Sequence, residues 1–348
     1  MEPEASRPSM DDFELIKVIG KGSYGKVLLV RKRDTDELLA MKMLRKENLA
    51  KRNQIEHTKT ERSVLEKVNH PYIVRLKYAF QNAKKLYFVL EYCPGGELFY
   101  HLSRAGRFDE PRAMFYAACT VLAIEHLHFL NIVYRDLKPE NVLVDSQGFA
   151  KITDFGLSKE NILDNRSAHS FCGTPEYLAP EVLSRKGHGK AVDWWSLGAL
   201  IFEMLTGLPP FYSREREKMF QNIMYSELKF PSYISATARQ LLQALFQREP
   251  EQRLGGGPRD SEEIKEHPWF AAMDWGRLAR KELVPPFIPT SDGTPTVRYV
   301  DDEFTRIPPV DSVGHEGRMA EGSPTYADFT YDGSPATIDV NMVEDEPS

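Results

Sequence analysis

The stretch Tyr134-Arg135-Asp136-Leu137-Lys138-Pro139-Glu140-Asn141, followed by Asp154-Phe155-Gly156, decides how this chain is read. It brings together two carboxylates, an ammonium and an amide, the residue types that phosphoryl transfer requires. Asp136 can take the proton of an attacking hydroxyl, and Lys138 can neutralise the moving phosphoryl group. Asn141 and Asp154 can hold magnesium through hard oxygen ligands. The alternative is a turn rich in solvated charge, which the two motifs in this order disfavour.

Composition sets the frame. The chain has 348 residues, with the apolar and charged fractions of a globular protein that can bury a sizeable core. No stretch approaches the run of apolar residues that a membrane span needs, and the first residues are acidic where a secretory signal is basic and then apolar. The expected location is therefore the cytosol or nucleus, with no membrane partner. Cys93, Cys119 and Cys172 are too scattered for a disulfide framework or a zinc site and are read as reduced thiols. A net charge of -6 argues against a nucleic-acid binder. From Val300 onward twelve acidic residues face only Arg306 and Arg318, which marks a boundary.

Residues 1–12 lack periodicity and read as a short mobile leader. The runs Phe13–Ile19, Val27–Val30, Leu38–Lys42 and Leu86–Leu90 read as strands of a small antiparallel sheet, with a helical period through Ile55, Val64, Leu65 and Val68 between the third and fourth. After Pro94-Gly95-Gly96 helical spacing dominates, in Arg112–Leu130, Val192–Thr206 and Thr237–Phe246. Two lobes joined near Glu91–Gly96 would leave a cleft suited to a cofactor. Beyond Phe270 the chain is Pro-rich and reads as a tail that wraps or dangles.

Gly20-Lys21-Gly22-Ser23-Tyr24-Gly25-Lys26-Val27 is a glycine-rich loop. A dinucleotide fold would open a helix at the third glycine, with an acidic residue about twenty positions on. Here β-favouring residues flank the loop and Lys42 ends the next strand, so it reads as a hairpin lid whose backbone amides approach phosphate oxygens. Glu61, with Leu65 one turn further on the same helical face, can point inward to pair with Lys42.

The glycine-rich loop, Ala40-Met41-Lys42, Arg135-Asp136 with Asn141, Asp154-Phe155-Gly156 and Ala179-Pro180-Glu181 together resemble the eukaryotic protein kinase set. Tyr134 in place of the usual histidine, Phe171-Cys172-Gly173-Thr174-Pro175-Glu176-Tyr177 and Asp193-Trp194-Trp195-Ser196-Leu197-Gly198 are similar to the AGC serine/threonine kinases. Within that group the chain is most like the p70 ribosomal S6 kinase, protein kinase B and serum- and glucocorticoid-regulated kinase branch. The resemblance implies an α+β bilobal protein kinase fold. A small β-rich N-lobe (13–93) and a larger helical C-lobe (94–270) would be followed by an AGC C-terminal tail (271–348).

It also implies ATP and magnesium as cofactors. Asp136, Lys138, Asn141, Lys42 and Glu61 would be the catalytic residues, with Asn141 and Asp154 on the metal. Ile19, Gly20, Gly22, Gly25, Val27, Ala40 and Lys42 would contact ATP from the small lobe. Leu90 would be the gatekeeper, Glu91 and Cys93 would bind adenine through backbone groups, and Glu97 would take the ribose. Thr174 would sit near Asp136 and Lys138, and Glu181 would pair with Arg253 as a structural ion pair. Glu97, Glu140 and Glu203 fall where related kinases present an acidic surface, implying substrates with Arg at the third and fifth positions before the Ser or Thr.

The implied partners are protein substrates with such basic motifs and an upstream activating kinase, of the phosphoinositide-dependent-kinase type, that docks on the hydrophobic motif. No nucleic acid is expected as a partner, and the chain is expected to be a monomer. The leader is too short for a pleckstrin-type module, so none is expected. Ser170 is the implied activating phosphosite, facing Arg135, Lys159 and His57. Tyr326-Ala327-Asp328-Phe329-Thr330-Tyr331 resembles the hydrophobic motif, with Thr330 as phosphosite and a pocket near Leu49, Gln81 and Leu86. Its first ring is a tyrosine where phenylalanine is usual, which adds a hydroxyl that needs a partner. Phe304–Ser312 resembles the turn-motif region but carries Val313 where a proline follows the phosphorylated serine, so Ser312, Ser323 and Ser334 all remain candidates. A pseudokinase scaffold and a small-molecule kinase are the rival readings. The first is opposed by the presence of Lys42, Asp136, Asn141 and Asp154, the second by the stretch from Ser170 to Glu181.

Overall fold

Alternating apolar residues in the first ninety positions build a five-stranded antiparallel sheet. The computed structural model describes residues 7–22, 25–52, 54–162, 168, 172–290, 297–311, 326 and 329–333. Strands β1 (Phe13–Lys21), β2 (Gly25–Lys32) and β3 (Leu38–Arg45) lead into the short helix α1 (Lys46–Lys51) and then α2 (Ile55–Lys67). Strands β4 (Leu76–Gln81) and β5 (Lys85–Glu91) complete the sheet in the order β1-β2-β3-β5-β4. Because side chains alternate across a strand, β5 sends Leu86, Phe88 and Leu90 to the face that also receives Val64 and Leu65 of α2. Its Tyr87 and Val89 join Phe13, Val18 and Met41 on the opposite face. Strand β4 and helix α1 were not anticipated from sequence. The alternation of Leu76, Tyr78 and Phe80 was an available signal for β4, whereas six residues are too few to show a helical period.

The second lobe is helical: α3 (Leu98–Ala105) and α4 (Glu110–Phe129), the hairpin β6 (Val142–Val144) and β7 (Ala150–Ile152), then α5 (Pro180–Ser184) and α6 (Ala191–Thr206). Helices α7 (Arg216–Tyr225), α8 (Ala236–Leu245) and α9 (Ser261–Lys265) pack around them. Helix α4 starts where the Asp109 side chain accepts the Arg112 N–H at 3.0 Å, with Pro111 in the first turn. Helix α6 is buried on every side from Ala191 to Leu205, as its nearly continuous apolar sequence demands, and Gly207 ends it in a left-handed conformation.

The leader differs from expectation, and the tail takes the wrapping alternative. The leader is fixed from Ser9 onward: Ser9 caps a helical turn at Met10–Asp12, and the carbonyls of Asp11 and Asp12 accept from Arg33 at 3.0 and 2.9 Å. The described parts of the tail belong to the fold. Leu278 of α10 (Trp275–Ala279) is buried and its carbonyl accepts the Tyr72 hydroxyl. Phe287 sits between His101 and Tyr299, at ring distances of 4.6 and 5.4 Å. Gly96, at φ +72°, lets the Tyr299 carbonyl lie where any Cβ would stand 2.3 Å from it. After α11 (Asp302–Thr305), Tyr331 exchanges main-chain hydrogen bonds of 2.9 and 2.8 Å with Ala79 and so covers the outer edge of the sheet. A polar, Pro-rich segment can be held this way because the lobes, rather than its own residues, supply the apolar surface.

The glycine-rich hairpin also has a structural constraint. A Cβ on Gly25 would stand 1.7 Å from the Met43 carbonyl oxygen, whereas one on Gly22 would meet nothing. Close approach of β3 therefore demands Gly25. Gly25→Ala should lower the denaturant midpoint by the equivalent of about 1–3 kcal/mol, and Gly22→Ala should leave it unchanged; equal effects would contradict this assignment.

Candidate active site

Lys42 lies on β3 opposite Phe88 of β5, which aims its ammonium into the space between the lobes. Its Nζ is 2.6 Å from Glu61 on α2 and 3.4 Å from Asp154. Burial works against the lysine charge, but Asp154 and Glu61 outweigh it and raise the pKa, so the ammonium is secured. Lys42 in turn is the main reason that Asp154 is held below the usual carboxylate range. Asp154 has φ +62° and Arg135 φ +69°, conformations that persist only where surrounding contacts impose them.

The buried carboxylate of Asp193, in the first turn of α6, supplies those contacts around Arg135. Its oxygens accept the main-chain N–H groups of Tyr134 and Arg135 at 2.8 and 2.7 Å. His128 lies 3.0 Å from Asp193 through Nε2 and 3.0 Å from Asp260 through Nδ1. Two carboxylates on one ring favour the imidazolium, and they raise its pKa in spite of burial. Tyr134 donates its hydroxyl to the Thr153 carbonyl and meets Phe155 edge to face, joining the two sequence motifs.

Asp136 is oriented from several directions. Asn141 Nδ2 donates to its Oδ2 and to its main-chain oxygen, both at 2.8 Å. Lys138 Nζ is 3.2 Å from Oδ2, and the Thr174 hydroxyl donates to Oδ1 at 3.0 Å. Lys138 also donates to the Thr174 oxygen at 2.9 Å. Burial raises the Asp136 pKa, with Lys138 and Thr174 working in the opposite direction. The result is a fixed carboxylate with increased proton affinity. Because the Asn141 nitrogen is committed to Asp136, its amide oxygen remains as an acceptor, and Asp154 is half-exposed to the cleft. One amide oxygen and one carboxylate suit a hard cation shared with phosphate oxygens.

A cavity of about 240 Å³ lies between the lobes. Of the residues assigned to the nucleotide, Ile19, Gly20, Val27, Ala40, Lys42, Leu90, Glu91, Cys93, Glu97 and Asp154 line it, together with Glu61 and Asn141. Gly22 and Gly25 do not: Gly22 is at the exposed end of the hairpin, and Gly25 is pressed against β3. Glu91 directs its carboxylate to Lys151 of β7 at 2.5 and 2.6 Å. Sequence reasoning missed Leu143, Thr153 and the tail residues Tyr299, Val300, Asp301 and Phe304 on the cavity wall. No local pattern in an acidic, Pro-rich segment signals that it returns across the molecule.

Of the three glutamates expected on an acidic surface, Glu97 and Glu140 are exposed. Glu203 is a correction: it is buried on α6 and accepts the Tyr177 hydroxyl. Helix α6 is enclosed on all sides, which places this carboxylate beneath the surface. Its pKa is pushed up to about 7, first by burial and then by Glu140 and Glu176, against the Tyr177 hydrogen bond. Glu181 and Arg253 form the expected buried pair, with two bonds of 2.7 and 2.9 Å.

Ser170, Ser312, Ser323 and Ser334 lie outside the described residues; Thr330 is exposed. Arg135 Nε donates to the Leu157 carbonyl at 2.7 Å, and its proximity contributes, after burial, to lowering the His57 pKa. In the tail motif, Phe329 meets Phe88 edge to face at 5.1 Å and Gln81 donates to the Tyr326 carbonyl at 2.7 Å. Leu49 and Leu86 share their apolar cluster. Lys46 stands over the Tyr326 ring, while the buried Tyr326 hydroxyl has no hydrogen-bond partner among the described residues.

Comparison with known proteins follows the same lines. A protein kinase domain model matches residues 13–270. The chain is 52% identical over 324 residues to "Protein kinase 2" of Dictyostelium discoideum, covering 92% of this chain and 67% of that protein. It is 48% identical over 334 residues to "Serine/threonine-protein kinase YPK1" of Saccharomyces cerevisiae, covering 96% and 49%. It is 49% identical over 300 residues to "RAC-beta serine/threonine-protein kinase" of Homo sapiens, covering 86% and 62%. The chain thus spans about half to two thirds of the length of these three relatives.

A buried hydroxyl without a partner among the described residues makes the tail contact weaker than it could be. Tyr326→Phe should stabilise the protein by about 1 kcal/mol, read as a higher denaturant midpoint. A lower midpoint would mean that the hydroxyl has a partner.

Proposed function

The chain belongs to the protein kinase family, and from that premise we propose that it is an ATP-dependent protein serine/threonine kinase of the AGC group. The observation that carries this reading is the meeting of two networks at one cavity: Lys42 with Glu61 and Asp154, and Asp136 with Asn141, Lys138 and Thr174. Lys42 neutralises and orients the ATP phosphates. Asp136, fixed by its neighbours, positions the substrate hydroxyl and takes its proton, and Lys138 stabilises charge on the transferred group. Asn141 and Asp154 would hold magnesium, which supplies further neutralisation of phosphate charge. Thr174 bridges Lys138 and Asp136 and so couples the substrate-binding segment to both. A scaffold without catalysis is disfavoured because all four chemical residues are present and assembled.

We assign Ser170 as the activating phosphosite, supported by the Arg135 charge, which acts after burial to lower the pKa of His57 on α2. A phosphate there would join Arg135 to α2 and secure Glu61 beside Lys42. Activation through Thr330 and docking of an upstream kinase on the tail motif belong to the same proposal. Incubating the chain with labelled ATP and Arg-containing peptides tests the whole reading. Labelling is expected, with Asp136→Ala losing on the order of 10²–10⁴ in kcat while still binding nucleotide. Absence of labelling, or full activity in Asp136→Ala, would overturn it. In the same assay Ser170→Ala should block the gain from an upstream kinase, and an undiminished gain would remove Ser170 from its role.

Substrate choice falls to Glu97 and Glu140, which face solvent. This supports Arg at the third and fifth positions before the acceptor hydroxyl. Burial first, and then Glu140 and Asp301, push the Glu97 carboxyl up to about 7, so it loses its charge as the pH falls through neutrality while arginine keeps its own. KM for Arg-containing peptides should therefore rise between pH 8 and pH 6 more steeply than KM for the same peptides with Arg replaced. Parallel profiles would exclude Glu97 from recognition.

A further inference from the structure

The tail segment 297–311 is tied down at both ends. Near its start, the Arg298 carbonyl accepts the Tyr100 hydroxyl at 3.0 Å and Tyr299 packs against His101 and Phe287. In its middle, Tyr299, Val300, Asp301 and Phe304 form part of the cavity wall, and Phe304 and Ile307 cover the outer apolar face of the sheet. Pro308 and Pro309 follow, with no N–H to donate. The segment is then caught at Asp311, whose carboxylate accepts from Lys85 Nζ and, at 3.2 Å, from the Tyr87 hydroxyl. One residue earlier, the Val310 carbonyl accepts from Lys26 of β2.

The receiving surface is cationic. Lys85 and Tyr87 are two residues apart on β5 and so present to one face; both are buried. Lys21, Lys26 and Arg45 lie beside Lys85 around one cavity. Burial lowers the Lys26 pKa first, neighbouring Lys85 lowers it further, and Asp311 opposes both. The Asp311 carboxylate is therefore held among these cations by more than one contact. Strand β5 also ends at Leu90 and Glu91, on the rim of the nucleotide cavity.

We propose that Asp311 is a positioning residue that latches the tail to the small lobe. Its bonds to Lys85 and Tyr87 hold residues 297–311 across the mouth of the cavity and thereby set nucleotide affinity without a phosphate on the tail. A strap fixed at both ends loses little further entropy when its middle closes on a ligand, whereas one released at Asp311 must be ordered each time. The effect on nucleotide rests on reading the cavity as the ATP site; the latch itself rests on the contacts.

The test uses the full, unphosphorylated chain with Asp311→Asn, which keeps size and removes charge, and Asp311→Glu, which keeps charge. Amide hydrogen exchange over 297–311 is measured without nucleotide, and ADP affinity by titration. Asp311→Asn should speed exchange across this segment and weaken ADP about fivefold, raising KM for ATP while kcat at saturating ATP stays within about twofold. Asp311→Glu should track the parent. Unchanged exchange in Asp311→Asn overturns the latch, and faster exchange with unchanged ADP affinity overturns its control of nucleotide. If the parent chain binds no ADP, the reading of the cavity fails, while the exchange result still decides whether Asp311 holds the strap.

Discussion

Asp193 is the point from which the site is hung. A buried carboxylate is costly unless its oxygens are filled, and here they take two main-chain amides of the catalytic stretch and a histidine ring. That satisfaction imposes the left-handed conformation of Arg135, which turns Asp136 towards Asn141, Lys138 and Thr174. Because Asp193 stands in the first turn of the most deeply buried helix, the catalytic stretch is fixed to the rigid centre of the large lobe. A loop can then carry chemistry with the precision of a helix.

The small lobe has to bring Lys42 to that fixed point, and α2 does so from two sides. Glu61 turns inward to Lys42. Its neighbour Arg62 turns outward: Nε donates to the Phe329 carbonyl at 3.0 Å and the guanidinium stands over the Tyr331 ring. Consecutive residues of one helix thus face the catalytic lysine and the tail. The tail reaches the cavity directly as well, through Tyr299 to Phe304. It therefore bears on the site both by holding the helix and by supplying part of the wall.

Much of this was legible in the sequence. The roles suggested for Asp136, Lys138, Asn141 and Asp154 follow from residue type and order, and the short β-favouring runs up to Leu86–Leu90 against the longer helical segments such as Val192–Thr206 separate the lobes. The pairing of Lys42 with Glu61 could be named in advance from the helical face Glu61 shares with Leu65, and that of Glu181 with Arg253 from the family resemblance. Glu203 was expected on an acidic surface by resemblance to related kinases, while its burial depends on what surrounds α6. The glycines were legible as a loop but not by reason: Gly25 answers to Met43 on another strand. The tail was least legible, since its ordering contacts come from elsewhere in the chain.

By itself the sequence determined the chemical inventory and the two-lobed pattern, because side-chain type and hydrophobic period are local properties. Only the tertiary structure decided that Asp193 and His128 anchor the catalytic stretch, that Glu203 lies beneath Tyr177, and that Asp311 reaches Lys85. Each of those depends on contacts between residues tens to hundreds of positions apart. Their energies come from burial and from paired charges, which exist only once distant segments share one interior.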